Sequence, residues 1–371
     1  MTPFYRFRSA ERLLGDTKEL ENQSIYFASP AQLNDPVEGF RNLFWSADHI
    51  AWKNLFTHYL RCLERACSLL LLAGEKHHKI TAGDLPVTLA GDDFPTEDYR
   101  QLFSGICDDF FGRPNVATYI ESITRAGRKA YRDELRFHLQ NLHYAALSAI
   151  TAVYQKNGLM EKKPAAWLNT EDNLVKLNDA KFLDLLSNAK PTHGTPEEAQ
   201  DMLFRAFADT NSQMRLVNRY NKTVDADAPN KNFVVMDFPG EYLKAIDSLL
   251  FPPWYTSCFM SECTNSAVWG HYGANHTGIC LVFESDDVGG RRVLPLRGIN
   301  GWSSAGPTHG ILQFEFVPIV YGAGFDDIDF FRSIGRLPMP VLTSTWYKDA
   351  DGNISSAAQD LFTDEPAWRE R

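Results

Sequence analysis

A chain of 371 residues exceeds the roughly 250–300 residues that one hydrophobic core usually supports, so two subdomains or a core with a large insertion are expected. Hydrophobic residues at 44% and aromatics at 13% supply ample core material and exclude a disordered chain. A net charge of −10 and a pI near 5.5 disfavour an extended nucleic-acid-binding face, though not a local basic pocket.

Six cysteines, Cys62, Cys67, Cys107, Cys258, Cys263 and Cys280, form no Cys-x-x-Cys pair, so neither a zinc ribbon nor a redox motif is signalled. The opening MTPFYRFRSAER is charged from Arg6 and lacks the apolar region of a secretory leader. The longest apolar run, Ser68 to Ala73, is far below the ~20 residues that cross a bilayer. The expectation is a soluble, cytoplasmic protein with reduced thiols and no membrane partner.

Phe4 to Arg8 alternates aromatic and basic residues and predicts a first strand. Ser9 then caps a short helix, AERLLGD, that stops at Gly15. Ser24 to Ala28 predicts a second strand, followed by a rigid turn at Pro30 and Asn34-Asp35-Pro36. Helical spacing marks Ala47–Leu72, Thr96–Phe111 and Asn115–Gln155, the last broken near Gly127. Further helices are predicted at Leu174–Leu186, at Pro196–Asp209 behind the cap Thr195, and at Gly240–Leu250. His77-His78 sits in a polar stretch and reads as solvated rather than metal-bound. Strands are predicted at Tyr255–Met260, Gly278–Glu284, Arg292–Leu296 and Ile311–Tyr321, with a Gly-rich loop at Gly298–Gly310. A short helix at Phe325–Ile334 and a strand or turn at Leu342–Lys348 follow. No repeat of fixed period is visible.

The stretch Tyr255 to Glu284 concentrates chemistry: between its two strand-like runs, Asn265 to His276 carries Trp269, His271, Tyr272 and His276 beside three glycines. If the two ends of the chain share a sheet, Arg6, Arg8, Tyr26 and Ser29 join that loop and Glu365. Guanidinium groups hold phosphate or carboxylate, rings stack on heterocycles, and a carboxylate stabilises a developing cation. These are the parts needed to cleave the glycosidic bond of a pyridine dinucleotide. No Gly-x-Gly-x-x-Gly, Gly-x-Ser-x-Gly or His-Glu-x-x-His motif competes.

The motifs Tyr5-Arg6-Phe7-Arg8, Ser29-Pro30 through Leu33-Asn34-Asp35-Pro36, Ser257-Cys258-Phe259-Met260, Trp269-Gly270-His271-Tyr272 through His276-Thr277-Gly278-Ile279 and Glu365-Pro366-Ala367-Trp368-Arg369 resemble those of the DUF2971 family of bacterial proteins. That family's arrangement is similar to ADP-ribosyltransferases. The resemblance implies an α+β fold: a split antiparallel sheet from both chain ends, residues 1–44 and 251–371, with a mostly helical insertion at 45–250. It implies NAD as substrate and ADP-ribose transfer to a macromolecular acceptor, protein or nucleic acid, as in a toxin or anti-phage defence effector. Arg8, with Arg6, would hold the NAD phosphates, and Tyr26 and Ser29 would flank the nicotinamide-ribose beside Asn34, Asp35, Trp269 and His276. His271 and Tyr272 would orient ligand or acceptor, Glu365 would be the late carboxylate, and the helical middle would hold a partner.

The sequence departs at Ala367, where the pattern has a second Glu and a methyl group can neither stabilise a cation nor take a proton, so either the chain is inactive in this form or Glu365 or Glu284 takes the role. Three readings compete with transfer. In one the same pocket senses a nucleotide or peptide without chemistry. In another His271, His276 and Glu284 form a metal hydrolase. In the third the motifs are core, with Trp269, Tyr272, Phe283 and Trp368 packed inside and Arg8 and Arg369 paired with Asp35, Glu38 or Glu365.

Overall fold

The computed structural model describes residues 2–29, 32–33, 42–90, 93–161, 171–190, 194–221, 227–250, 255–319 and 327–359. In chain order, β1 (Thr2–Arg8) and α1 (Ala10–Leu14) precede β2 (Asn42–Trp45) and α2 (His49–Ala73). Then come α3 (Glu97–Phe111), α4 (Pro114–Ala126), β3 (Ala130–Tyr131), α5 (Arg132–Lys156), α6 (Asp172–Asp179), α7 (Phe182–Asn188) and α8 (Pro196–Tyr220). The chain continues through α9 (Pro229–Asn232), α10 (Phe238–Ile246), α11 (Ser266–Tyr272), β4 (Ile279–Val288), β5 (Arg291–Ser303), β6 (Gly306–Glu315), β7 (Asp327–Asp329) and α12 (Met339–Leu342). The fold is mixed α and β, and no described helix is long and apolar enough to cross a membrane.

Contacts divide the chain into two units. The first comprises Met1–Phe40, Pro253–Gly324 and Glu365–Arg371, the second Arg41–Pro252 and Phe325–Asp364. Residues 327–359, expected with the C-terminal β part, therefore belong to the helical unit.

In the first unit the strands run β1-β4-β5-β6, all antiparallel. β1 pairs with β4 along its whole length, from Thr2↔Ser285 to Arg8↔Ile279. The expected strands at Ser24–Ala28 and Tyr255–Met260 shrink to isolated bridges, Ala28↔Thr256 and Tyr5↔Met260. The expected loop at Gly298–Gly310 is mostly strand: β5 and β6 pair from Val293↔Glu315 out to Ser303↔Gly306.

In the helical unit α2 is fully buried along one face, with Leu55, Tyr59 and Leu63 at the centre. Asp48 starts it, accepting from the Ala51 amide at 3.2 Å, and the Ser356 amide donates to the other carboxylate oxygen at 2.7 Å. Gly127, at φ 59°, ends α4 in the left-handed conformation that suits glycine, which is the break before α5. α8 runs past its expected end at Asp209 to Tyr220, and α11 occupies part of the expected Asn265–His276 loop.

β2 pairs antiparallel with β3 and parallel with β7, where a short helix was expected at Phe325–Ile334. Thr343–Tyr347, expected as strand or turn, is π-helical, as is Phe233–Asp237. The π-turns free carbonyls that side chains satisfy: His143 Nε2 lies 2.9 Å from the Val234 carbonyl oxygen.

Three Tyr–His pairs are sealed in this core. Tyr242 Oη lies 2.8 Å from His58 Nδ1, Tyr59 Oη 2.7 Å from His143 Nδ1, and Tyr119 Oη 2.9 Å from His138 Nδ1. Burial pushes the His58 and His143 imidazoles down to about 4, so both are neutral at pH 7.

Candidate functional site

The candidate residues described all lie in the first unit. Alternation along β1 places Phe4, Arg6 and Arg8 on one face and Tyr5 and Phe7 on the other. On the first face Arg6 and Arg8 converge on one carboxylate. Glu19 Oε2 stands 3.6 Å from Arg6 Nη1 and 3.1 Å from Arg8 Nε, and Arg6 Nη2 donates to the Tyr26 carbonyl at 2.9 Å. Arg6 and Glu19 are buried, which argues for pairing, since an isolated charge there is costly.

The aromatic lining of that face is continuous. Phe4 stacks on Phe316 at 3.9 Å, Phe259 meets both Phe316 and Phe283 edge-on, and the Arg6 guanidinium lies 6.0 Å from the Phe259 ring. Tyr26, half exposed, points its hydroxyl at Gln32 Oε1 (2.8 Å), and the Ser29 amide and hydroxyl donate to the same oxygen at 3.0 and 3.2 Å. Gln32 thus ties Tyr26 and Ser29 together, a role the sequence did not signal.

On the opposite face Phe7 meets Trp269 of α11 edge-on at 4.8 Å, and the indole Nε1 donates to the Cys263 carbonyl at 2.7 Å. Asn265 caps α11 by accepting from the Ala267 and Val268 amides. His271, Tyr272 and His276 are exposed. The chain then leaves α11 through Ala274, Asn275 and His276, all left-handed, with φ of 49°, 52° and 68°. Such a run costs roughly 1–2 kcal/mol per residue. It is held by hydrogen bonds from the Asn275 amide to the Gly270 carbonyl (3.2 Å), from the His276 amide to the Trp269 carbonyl (3.2 Å) and from the Gly278 amide to the Gly273 carbonyl (2.7 Å). A Cβ on Gly270 would sit 3.6 Å from His276 Nε2, so the ring lies beside α11.

Gly278 joins the two halves. A Cβ there would stand 2.7 Å from both the Arg8 and Gly273 carbonyl oxygens, so only glycine lets β4 begin against the end of β1. Gly278→Ala is expected to cost about 1–3 kcal/mol through this overpacking. Amide exchange of residues 266–279 should speed up in the same variant; wild-type exchange and an unchanged melting temperature would contradict the assignment.

The structure therefore distributes the expected residues over both sides of the sheet: Arg6, Arg8 and the Tyr26–Ser29 segment on one side of β1, Trp269 and α11 on the other, with the Arg8 end of β1 between them. Of the core alternative, Trp269 is partly buried and Tyr272 exposed, and the carboxylate paired with Arg8 is Glu19. Asn34, Asp35, Glu38, Glu365, Ala367, Trp368 and Arg369 lie outside the described residues. No group of three His, Cys, Asp or Glu side chains among the described residues is placed to hold a metal ion, and Glu284, exposed on β4 opposite Pro3, does not join His271 and His276 in one.

Glu19 could not have been found from the sequence, because it stands in a polar run, KELEN, with no periodic partner. Comparison with protein-family models, with curated proteins and with solved structures gave no match.

Proposed function

We propose that the first unit is an NAD-binding module of the ADP-ribosyltransferase kind, whose acceptor is a macromolecule. The supporting observation is the full-length pairing of β1 with β4, which brings the Tyr-Arg-Phe-Arg segment against the end of the Trp-x-His-Tyr segment at Arg8 and Gly278. In this reading Arg8 holds the NAD phosphates, with Arg6 fixed behind it by Glu19. Tyr26 and Ser29, oriented by Gln32, flank the nicotinamide-ribose, and His271 and Tyr272, exposed on α11, meet ligand or acceptor. Transfer needs a carboxylate to stabilise the oxocarbenium as nicotinamide departs. Glu365 is the candidate, and Ala367 removes the second one.

That loss favours a second reading, in which the unit binds a nucleotide and leaves it intact. Calorimetry with NAD and an assay of nicotinamide release, on the natural chain and on Ala367→Glu, separate the two. The expected result is NAD binding by both and faster release by Ala367→Glu. Binding without release from either supports the sensor, and absence of NAD binding overturns the transfer reading.

A further inference from the structure

β6 is an edge strand. In the order β1-β4-β5-β6 it has a neighbour on one side only, and among the described residues its backbone pairs with nothing but β5.

The phase of its open side follows from one hydrogen bond. The Phe316 amide donates to the Arg292 carbonyl at 2.8 Å, and the β5–β6 register continues that pair by twos through Leu294↔Phe314, Leu296↔Leu312 and Gly298↔Gly310. In an antiparallel ladder such alternate pairs exchange the backbone bonds, so His309, Ile311, Gln313 and Glu315 aim their amides and carbonyls away from β5. Pro295 agrees: it has no amide to give, and it stands opposite Gln313 in a pair that needs none. All four outward residues are exposed.

Proteins usually blunt an open edge with lysine, proline, a bulge or a short strand. Beyond Val293 the far side of β5 is open as well, but it carries two of these devices, Pro295 and the irregularity between Ile299 and Gly301. From Thr308 to Glu315 β6 carries none, and it presents Ile311, Leu312 and Phe314 instead.

The strand is complementary to itself. Two copies related by a two-fold axis run antiparallel, and their outward bonds require odd-numbered residues to meet odd-numbered ones, so the axis passes through a residue. With the axis at Leu312, His309 faces Glu315 of the second copy, Ile311 faces Gln313, Gly310 faces Phe314 and Leu312 faces itself. An imidazole then meets a carboxylate at both ends, and on the other face Phe314 covers the bare Gly310 beside the paired leucines. Moving the axis by one residue sets Glu315 against Pro307 or Ile311. The existing contact of Glu315 with Arg291, 3.5 Å between two exposed side chains, is too weak to hold it back.

We infer that β6 is a self-association edge, through which two copies of the chain join about Leu312 into one antiparallel sheet of order β1-β4-β5-β6-β6-β5-β4-β1. The inference does not depend on what the first unit binds.

The test is sedimentation velocity of the full chain from roughly 1 to 100 μM, the range suited to a small interface. A reversible shift from 42.0 kDa to twice that mass is expected, with amide exchange of β6 slowing as concentration rises. Gln313→Pro removes an outward amide that β5 does not use, so the sheet keeps its own bonds while the dimer weakens about tenfold or more. His309→Glu sets like charges opposite each other and should weaken the dimer roughly three- to thirtyfold. Adding Glu315→Lys to His309→Glu should restore most of that loss, which general damage to the strand would not allow. His309→Glu, an exposed change, keeps the test valid if Gln313→Pro does not fold.

A chain that stays at 42.0 kDa throughout would overturn the proposal. So would a dimer of unchanged affinity in His309→Glu and in any folded Gln313→Pro, which would place the contact elsewhere. No recovery in the double variant would overturn the register centred on Leu312.

Discussion

Glu19→Ala should lower the free energy of unfolding by about 3–5 kcal/mol, the range for removing one partner of a buried ion pair. The substitution leaves Arg6 and Arg8 facing each other with no counter-charge. Arg6 is 4% exposed and cannot turn to water without opening the sheet beside it. Denaturant titration of the variant measures the loss, and a change under about 1 kcal/mol would show that the two arginines are solvated in the native state. The double substitution Arg6→Met, Glu19→Leu should cost less than Glu19→Ala, since of the two arginines only the less buried Arg8 is then left without its carboxylate.

Acid should destabilise the helical unit well before its carboxylates titrate in bulk. His58 and His143 are fully buried and their imidazoles are pushed from 6.5 down to about 4, so the unfolded chain takes up protons that the native one refuses. The sign follows directly: each histidine contributes stability in full above pH ~6.5 and loses it progressively as pH falls through 6.5 to about 4. With 1.36 kcal/mol per pKa unit, each withdraws about 3 kcal/mol by the end of that window. Each imidazole is held neutral between a tyrosine hydroxyl and a backbone oxygen, Tyr242 and Val87 for His58, Tyr59 and Val234 for His143. Urea unfolding at steps from pH 7.5 to 4 should show the loss. His58→Gln and His143→Gln should be less stable at pH 7 yet flatter in pH, and a profile level from pH 7 to 4.5 in the natural chain would refute the account.

The helices were the legible part of the sequence because their apolar spacing is forced by packing on one face. α3, α4 and α5 stand where the 3.6-residue pattern put them, and the break at Gly127 follows from a glycine at a helix end. β1 and β4 were legible for another reason, since Phe4 to Arg8 alternates aromatic and basic residues and Gly278 to Glu284 is a short apolar, β-prone run.

Short strands were not. β2, β3 and β7 have four, two and three residues, too few to display a period of two. The β5–β6 ribbon failed differently: its outer half is exposed on both faces, with Ile299, Trp302 and Ile311 open to water, so its glycines outweighed a flat hydropathy pattern. The π-turns at Phe233–Asp237 and Thr343–Tyr347 have no sequence period of their own.

In the site, the arginines and the Trp-x-His-Tyr segment stood out in the sequence as candidates, but their distribution over two faces of the sheet was not legible. That distribution is set by the Phe7–Trp269 contact, a tertiary fact. Glu19 gains its meaning only from Arg6 and Arg8 on another element, and Gln32 from the fold of the segment that carries Tyr26 and Ser29.

The pairing of the first strand with a partner 283 residues further along also sets an order of events during synthesis. β1 emerges before β4 and has no mate until residues 279–285 have been made, while the helices encoded in between can already find local contacts. For that interval its aromatic and basic side chains lie on an open edge. A nascent chain halted before residue 279 should thus carry a protease-sensitive head and a helical portion that still lacks the core residues Phe330, Phe331, Trp346 and Tyr347, and release of the remaining residues should protect both.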